Sequence, residues 1–366
     1  MIDVPINALD RHVAPLREAL ANAYNSVVGS GYYVLGPQVK AFEAEFAAFC
    51  GVSDCIGVAN GTEALELGLR GIGIKRGDRV GLVANAAMYG TTAVLACGAE
   101  PVFVDIDPAT CTLDPRALEQ SLATRPIDAL IVTHLYGRLA DMPVIMALAD
   151  KHGFVVFEDC AQAHGARDAS GRRAGSFGKA ASFSFYPTKN LGAIGDGGAV
   201  VTDDPAVAAT VRKLRQYGWT AKYRNELQGG RNSRLDELQA AFLRVALPNV
   251  DRWNARRRVI ANRYSREIHN PKIQVPVPSG EEYVAHLYVV NSSRRDDLRR
   301  HLAALSVGSD IHYPVADHRQ PLFGDRFCAT TLPVTEFACE TVLTLPCFPE
   351  LTDDEATQVI SACNSF

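Results

Sequence analysis

Lys189 is the residue whose neighbours best equip it for chemistry. It stands in the stretch Ser182-Phe183-Ser184-Phe185-Tyr186-Pro187-Thr188-Lys189-Asn190-Leu191-Gly192, where no other charge accompanies it. A lysine desolvated in such a loop loses part of its preference for the charged form, and its amine becomes a nucleophile or a base. Ser184, at the end of the preceding apolar run, can hold an anion beside that amine. A solvated lysine in a glycine-rich turn is the plainer alternative. The second position is Asp159, in Glu158-Asp159-Cys160-Ala161-Gln162-Ala163-His164-Gly165. One reading pairs this carboxylate with a pyridinium nitrogen through a charge-assisted hydrogen bond. Another makes Asp159 and His164 metal ligands, although their spacing matches no standard zinc pattern. A third makes Asp159 a cap for the next turn. The third position is Asn60-Gly61-Thr62-Glu63, a small-residue turn between an apolar run and a helix. Free N–H groups at such a helix start suit a phosphate, and Asn60 or Thr62 also suits a plain N-cap.

The elements that must position these residues follow from periodicity. After a loop over 29–37 that contains Tyr32 and Tyr33, Val39, Phe42, Phe46 and Phe49 recur at helical spacing. Strands are expected at 55–59, 79–83, 101–105, 129–133 and 154–158, with helices at 64–70, 86–97 and 142–152. Asp114-Pro115 opens another helix, the aspartate as cap and the proline in its first turn. Alternation of this kind predicts an α/β fold with a mostly parallel sheet and helices on both faces. Ligands of such sheets bind beyond the carboxyl ends of the strands. That rule gathers Asn60-Gly61-Thr62, His134, Asp159 and Ser184 on one edge. Beyond residue 201, helices are expected at 205–217, 235–247 and 249–268, with a polar segment at 218–234. A smaller α+β region follows, with strands at 287–291 and 308–312 and helices at 294–305 and 352–361. The expected division is a large domain over 1–248 and a small one over 249–366.

Composition narrows the class. A chain of 366 residues with 47% hydrophobic and 21% charged residues is an ordinary globular protein with a large core. A net charge of −4 gives no pull toward nucleic acid or an anionic membrane. No apolar run is long enough to span a bilayer, and the start does not read as a secretory signal. The nine cysteines contain no Cys-x-x-Cys pair, so reduced thiols and a cytoplasmic location are expected. A P-loop, a dinucleotide fingerprint and a nucleophile elbow are all absent, which argues against a nicotinamide oxidoreductase.

Lysine, aspartate, and a helix start with serine together point to pyridoxal 5'-phosphate (PLP). With Asn60-Gly61-Thr62-Glu63-Ala64-Leu65, Pro101-Val102-Phe103-Val104-Asp105, His134-Leu135-Tyr136-Gly137, the Asp159 and Lys189 stretches, Asn232-Ser233-Arg234-Leu235-Asp236-Glu237 and Ile311-His312-Tyr313-Pro314, the chain resembles the DegT/StrS-type sugar-nucleotide aminotransferases. The similarity runs over nearly the whole chain. It implies the aspartate-aminotransferase fold (fold type I), a homodimer, and PLP alternating with pyridoxamine 5'-phosphate.

The resemblance also implies roles. Lys189 forms the Schiff base, Asp159 pairs with the pyridine nitrogen, and Gln162 lies against the ring hydroxyl. Gly61, Thr62 and Ser184 bind the phosphate, and Asn232 reaches the phosphate of the neighbouring subunit. Tyr32, Tyr33, Tyr186, Lys222, Tyr223, His312 and Tyr313 line a sugar-nucleotide site. The family usually places an aromatic over the cofactor ring after Pro-Ala-x-Thr. Here the stretch is Val83-Ala84-Asn85-Ala86-Ala87-Met88-Tyr89-Gly90, and an ungapped match puts Ala87 at that place. Tyr89, with Met88 as the alternative, is expected to cover the ring through a shifted turn. The expected reaction moves an amino group from an amino acid, L-glutamate, to C3 of a dTDP-3-keto-6-deoxyhexose. Amination at C4 of a dTDP- or UDP-linked 4-keto sugar is the alternative, and a non-catalytic regulatory protein on the same fold is the rival from another class.

Overall fold

The computed structural model describes residues 3–366. Its centre is a seven-stranded sheet formed by β1 (Asp54–Val58), β2 (Arg79–Val83), β3 (Glu100–Val104), β4 (Ala129–Thr133), β5 (Val155–Asp159), β6 (Ala180–Ser184) and β7 (Gly198–Thr202). The spatial order is β1-β7-β6-β5-β4-β2-β3. Five of these strands, β2 to β6, pair in parallel; β7 runs antiparallel to both its neighbours. The chain is thus α/β with a mostly parallel sheet, as expected. Because β7 reverses, β1 points the same way as β6. The carboxyl ends of β1, β4, β5 and β6 therefore share one edge.

Successive residues of a strand face opposite sides of a sheet, and both sides here are covered. One side buries Ile56, Leu82, Phe157 and Val200 with Leu67 and Val211. Leu67 lies on α4 (Gly61–Gly71), which follows α1 (Leu9–Val13), α2 (Arg17–Ser30) and α3 (Pro37–Cys50). Val211 lies on α8 (Pro205–Leu214), after α5 (Tyr89–Ala96), α6 (Pro115–Leu122) and α7 (Met142–His152). The other side buries Phe183, Phe185, Ala199 and Val201 against Phe42 and Phe46 of α3. Leu243, on α9 (Glu237–Ala246), joins that cluster. The phenylalanines at helical spacing are thus core, with Phe46 edge-on to Phe183 at 4.9 Å and to Phe185 at 5.2 Å.

After a small exposed hairpin, β8 (Trp219–Ala221) and β9 (Arg224–Asn225), the chain enters α10 (Val250–Glu267). The region beyond it contains β10 (Tyr288–Asn291), α11 (Arg295–Ala304), α12 (Pro333–Thr341), β11 (Val342–Leu345) and α13 (Asp353–Asn364). Tyr288, Leu343 and Val359 of this region share one apolar cluster with Val83, Val132 and Ile145 of the large sheet and its helix α7. We propose the domain division at residue 248, just before α10.

Several expected elements are corrected. The strand expected at 308–312 does not form; Asp310 makes only an isolated bridge to Thr344. The partner of β10 is β11, a four-residue apolar run between a helix and Pro346, too short to stand out as a strand by periodicity. Gly29 and Ser30 belong to α2 rather than to a loop, and the left-handed cap falls on Gly31 (φ 69°). The helix expected from residue 86 starts at Tyr89, because Ala87 (φ 56°) and Met88 (φ 66°) take left-handed conformations that no helix admits. Asp159 is the last residue of β5 rather than the residue after it. The Asp114 cap holds, its carboxylate accepting the Arg116 N–H at 2.9 Å.

Candidate active site

The Lys189 loop is fixed on both sides of the lysine. Its backbone N–H donates to the Tyr186 carbonyl at 2.9 Å, closing a turn, and Ala193 N–H returns to Phe185 O at 2.8 Å. A Cβ on Gly192 would collide with the Pro187 carbonyl, so the loop closes only around glycine. Asn190 is buried. Its amide donates to Asn254 Oδ1 (2.7 Å) on α10 and to Val284 O (3.1 Å), and its oxygen lies 2.9 Å from His286 Nδ1. Leu191 is fully buried in the core. With both following residues held inside, Lys189 is aimed at the sheet edge.

There it meets Asp159. Lys189 keeps part of its surface open to a cavity, yet burial still lowers its ammonium to about 8, and the Asp159 charge opposes that shift. Burial raises the Asp159 carboxyl above its ordinary value; the Ala161 N–H (3.1 Å), the Lys189 charge and the Thr133 hydroxyl (3.4 Å) pull it back. Thr133 ends β4 directly opposite Asp159 in the register. A hydroxyl one strand away leaves no trace in the local sequence, and Thr133 was not foreseen.

Helix α4 starts at Gly61 on the same edge. Asn60 caps it, its side chain accepting the Glu63 N–H at 2.9 Å. The cap leaves the N–H groups of Gly61 and Thr62 outside the helical ladder. A Cβ on Gly61 would sit 2.6 Å from Ser184 Cβ, so the glycine lets the helix start press against the serine that ends β6. The cap, the free N–H groups and the Ser184 hydroxyl are thus one construction. Gly61, Thr62, Tyr89, Asp159, Ser184, Tyr186 and Lys189 line a single cavity of about 450 Å³. A second cavity of about 280 Å³ shares Tyr89, Tyr186 and Lys189 with it and adds His286, Asp310, His312 and Tyr313.

Other expected residues fall differently. Gln162 is buried; its oxygen accepts the Tyr136 N–H (2.6 Å) and its amide donates to the Tyr313 hydroxyl (3.1 Å). His312 Nδ1 lies 2.8 Å from the Thr344 hydroxyl, and burial lowers its pKa against the opposing charge of Asp310. Met88 is partly buried against the core, whereas Tyr89 is 51% exposed, lines both cavities and lies edge-on to Tyr313 at 6.4 Å. Tyr32, Tyr33, Lys222, Tyr223 and Asn232 are exposed, and none of them lines either cavity of this chain. Lys222 and Tyr223 form the turn of the β8–β9 hairpin.

The metal reading of Asp159 and His164 fails on geometry. The His164 ring packs between Phe183 and Phe185 (5.3 and 5.8 Å), and burial pushes its pKa down to about 3. His134, expected at the ligand edge, instead turns inward to Glu158 at 2.9 Å. His134, Glu158 and Cys160 lie close enough for a metal among the described residues. Glu158 is already saturated there, since it also accepts the N–H groups of Gly175, Phe177 and Gly178 at 2.7–2.9 Å.

A depressed amine, a buried carboxylate and a helix start closed by a serine fit PLP, group by group. Comparisons with known proteins agree. The model of the DegT/DnrJ/EryC1/StrS aminotransferase family matches residues 15–364. The chain is 44% identical over 363 residues to the erythromycin biosynthesis sensory transduction protein EryC1 of Saccharopolyspora erythraea, covering 98% of each. It is also 44% identical over 362 residues to the dTDP-3-amino-3,4,6-trideoxy-alpha-D-glucose transaminase of Streptomyces venezuelae, covering 98% of this chain and 95% of that protein. The crystal structure of S. venezuelae DesV with a ketimine intermediate superposes with a TM-score of 0.93 at 43% identity, covering 100% of this chain and 98% of that one. PLP is the cofactor of these aminotransferases. This chain belongs to the DegT/DnrJ/EryC1/StrS aminotransferase family and has its fold.

Proposed function

We propose that this enzyme moves an amino group from L-glutamate to C3 of a dTDP-linked 3-keto-6-deoxyhexose. The observation that carries the reading is the cavity in which Lys189, lowered to about 8 by burial, faces Asp159 beside the start of α4. Relatives at this level of identity that act at C3 of a dTDP-sugar support the choice of substrate.

PLP bound there supplies an electron sink for the carbon that carries the amine. The chain's own residues do the rest. Asp159 holds the proton on the ring nitrogen through a charge-assisted bond that burial strengthens. The N–H groups of Gly61 and Thr62, at the positive end of an eleven-residue helix, hold the phosphate with the Ser184 hydroxyl. Gln162, its oxygen held by the Tyr136 N–H and its amide by the Tyr313 hydroxyl, would lie against the ring hydroxyl. Tyr89 covers one ring face. The Lys189 amine would take the proton from the donor's α-carbon and deliver it to the cofactor carbon that bears the nitrogen, a role that burial favours by lowering the ammonium to about 8.

Tyr186, His312 and Tyr313 line the neighbouring cavity, where the sugar nucleotide fits. Tyr32, Tyr33, Lys222 and Tyr223 complete that site from a second copy of the chain, and Asn232 of one copy reaches the phosphate held by the other, which makes the working unit a homodimer. The enzyme works in the cytoplasm: its nine cysteines are free and eight are buried. No helix among the described residues is long and apolar enough to cross a membrane.

The test is an absorbance spectrum before and after L-glutamate, followed by the keto sugar. A band at about 410–430 nm that moves to about 330 nm with glutamate and returns with a 3-keto sugar supports the reading. Return only with a 4-keto sugar assigns C4 instead. A relative named as a sensory transduction protein favours a second, regulatory reading. A protein that stays colourless with added PLP, unchanged by Lys189→Ala, would sink the aminotransferase reading and revive the regulatory one.

A further inference from the structure

Asp317 carries a carboxylate that the chemistry above does not use. It is 1% exposed and lies in a 3₁₀ turn, Asp317–Arg319, of the region beyond α10. A buried carboxylate normally has a cation beside it. Asp317 has none among the described residues: His318 and Arg319, next in the chain, both pair with Glu336, at 2.8 and 2.7 Å. Burial accordingly raises its pKa to about 6. Both oxygens nevertheless have partners. One accepts the Met88 N–H at 2.9 Å and the other the Thr91 hydroxyl at 2.5 Å. Its own N–H donates to Ala84 O at 2.7 Å.

All three contacts fall on one short segment of the large domain. Ala87 and Met88 are consecutive non-glycine residues in the left-handed region, a conformation that costs about 1–2 kcal/mol per residue. Met88 is the N-cap of α5 and provides no capping side chain of its own. Asp317, 229 positions away, ties this helix start down through the Met88 N–H and the Thr91 hydroxyl. The doubled left-handed turn sends the Met88 side chain against the core and Tyr89 into the cavity with Lys189 and Asp159. Tyr313, four residues before Asp317, meets the Tyr89 ring edge-on.

We infer that Asp317 is a positioning residue: its carboxylate holds the Ala87–Met88 turn so that Tyr89 is presented to the face of the cofactor ring. The inference rests on Tyr89 covering the ring. It makes ring coverage depend on a segment of the small domain, so the two domains must be docked for the cofactor to be held fully.

A double-mutant cycle on the holoenzyme tests it, read by PLP dissociation constant and by visible circular dichroism of the bound cofactor. Asp317→Asn keeps the shape but replaces one acceptor with an amide that cannot accept. It is expected to weaken PLP about tenfold or more and to shrink the dichroic band, about the loss expected for one hydrogen bond to a charged group. Tyr89→Ala should do the same or more, and Tyr89→Phe should keep most of both signals. The double variant Asp317→Asn/Tyr89→Ala should match Tyr89→Ala within about twofold. Effects that multiply would overturn the inference, because Asp317 would then act by some route other than Tyr89. A wild-type spectrum and affinity for Asp317→Asn would overturn it as well. If Tyr89→Ala changes neither signal, ring coverage by Tyr89 is wrong and the inference falls with it. Should Asp317→Asn not fold, Thr91→Val removes one of the two bonds, and the same non-additivity with Tyr89→Ala decides.

Discussion

The lowered pKa of Lys189 comes from the removal of water. Burial lowers the ammonium from 10.5 to about 8, and Asp159 limits the shift. The sign follows directly: below about 8 the amine is charged and inert, and above it the amine is free. The rate at which protein stripped of cofactor takes up PLP should therefore rise with pH and level off above about 8. A rise that continues toward 10.5 would show a solvated lysine. Lys189→Ala should abolish both the visible band and amino transfer. Asp159→Asn should retain the cofactor, because the phosphate cradle is untouched, yet lower kcat for the first half-reaction about 10²-fold or more. Single-turnover spectra with glutamate separate the two effects. At this scale the sequence was informative. Asp159 and Ser184 each announce themselves by a polar group at the end of an apolar run, and Lys189 by standing as the lone charge between Ser184 and Gly192. Thr133 and Asn190 did not, since their partners lie in other elements.

Elements set the distances that residues exploit. The start of α4 can approach Ser184 only because Gly61 has no side chain. Gly61→Ala should push the serine away and weaken PLP more than tenfold while thermal stability of the protein without cofactor changes little. Equal loss of stability and affinity would mean that Gly61 serves packing alone. The Lys189 loop makes a contrasting case. Asn190 ties it to α10 and to the Val284–His286 segment, so Asn190→Ala leaves buried groups unpaired and should cost about 1–3 kcal/mol, read in thermal unfolding. Most helices and strands were legible from their periodicity. The start of α5 was not, because a left-handed pair at Ala87–Met88 has no local signature, and β11 was too short to show one.

The whole molecule poses the question of what the single chain leaves open. Tyr32, Tyr33 and Tyr223 are 63%, 53% and 77% exposed, a cost in water that a partner surface would remove. If two copies share their sites, Lys189→Ala and Asn232→Ala proteins complement each other. Mixed after subunit exchange, they should recover about a quarter of wild-type activity, since half the dimers are mixed and each has one intact site. No recovery, with exchange verified by light scattering and tagged subunits, would place every site within one chain.

The sequence by itself determined the chemistry and the frame. Apolar runs of strand length alternating with helical periods dictated a mostly parallel sheet, and polar residues at the strand ends fell on one edge by topology alone. The cofactor type followed from Lys189, Asp159 and Ser184, whose signals are local. Tertiary structure decided what depends on contacts between distant segments. It chose Tyr89 over Met88 for the cavity, through a carboxylate 229 positions away. It turned His134 inward to Glu158 and anchored Asn190 between α10 and the Val284–His286 segment. Hydrogen bonds across such separations are paid for by the packing of the whole fold, and no window of sequence contains both partners.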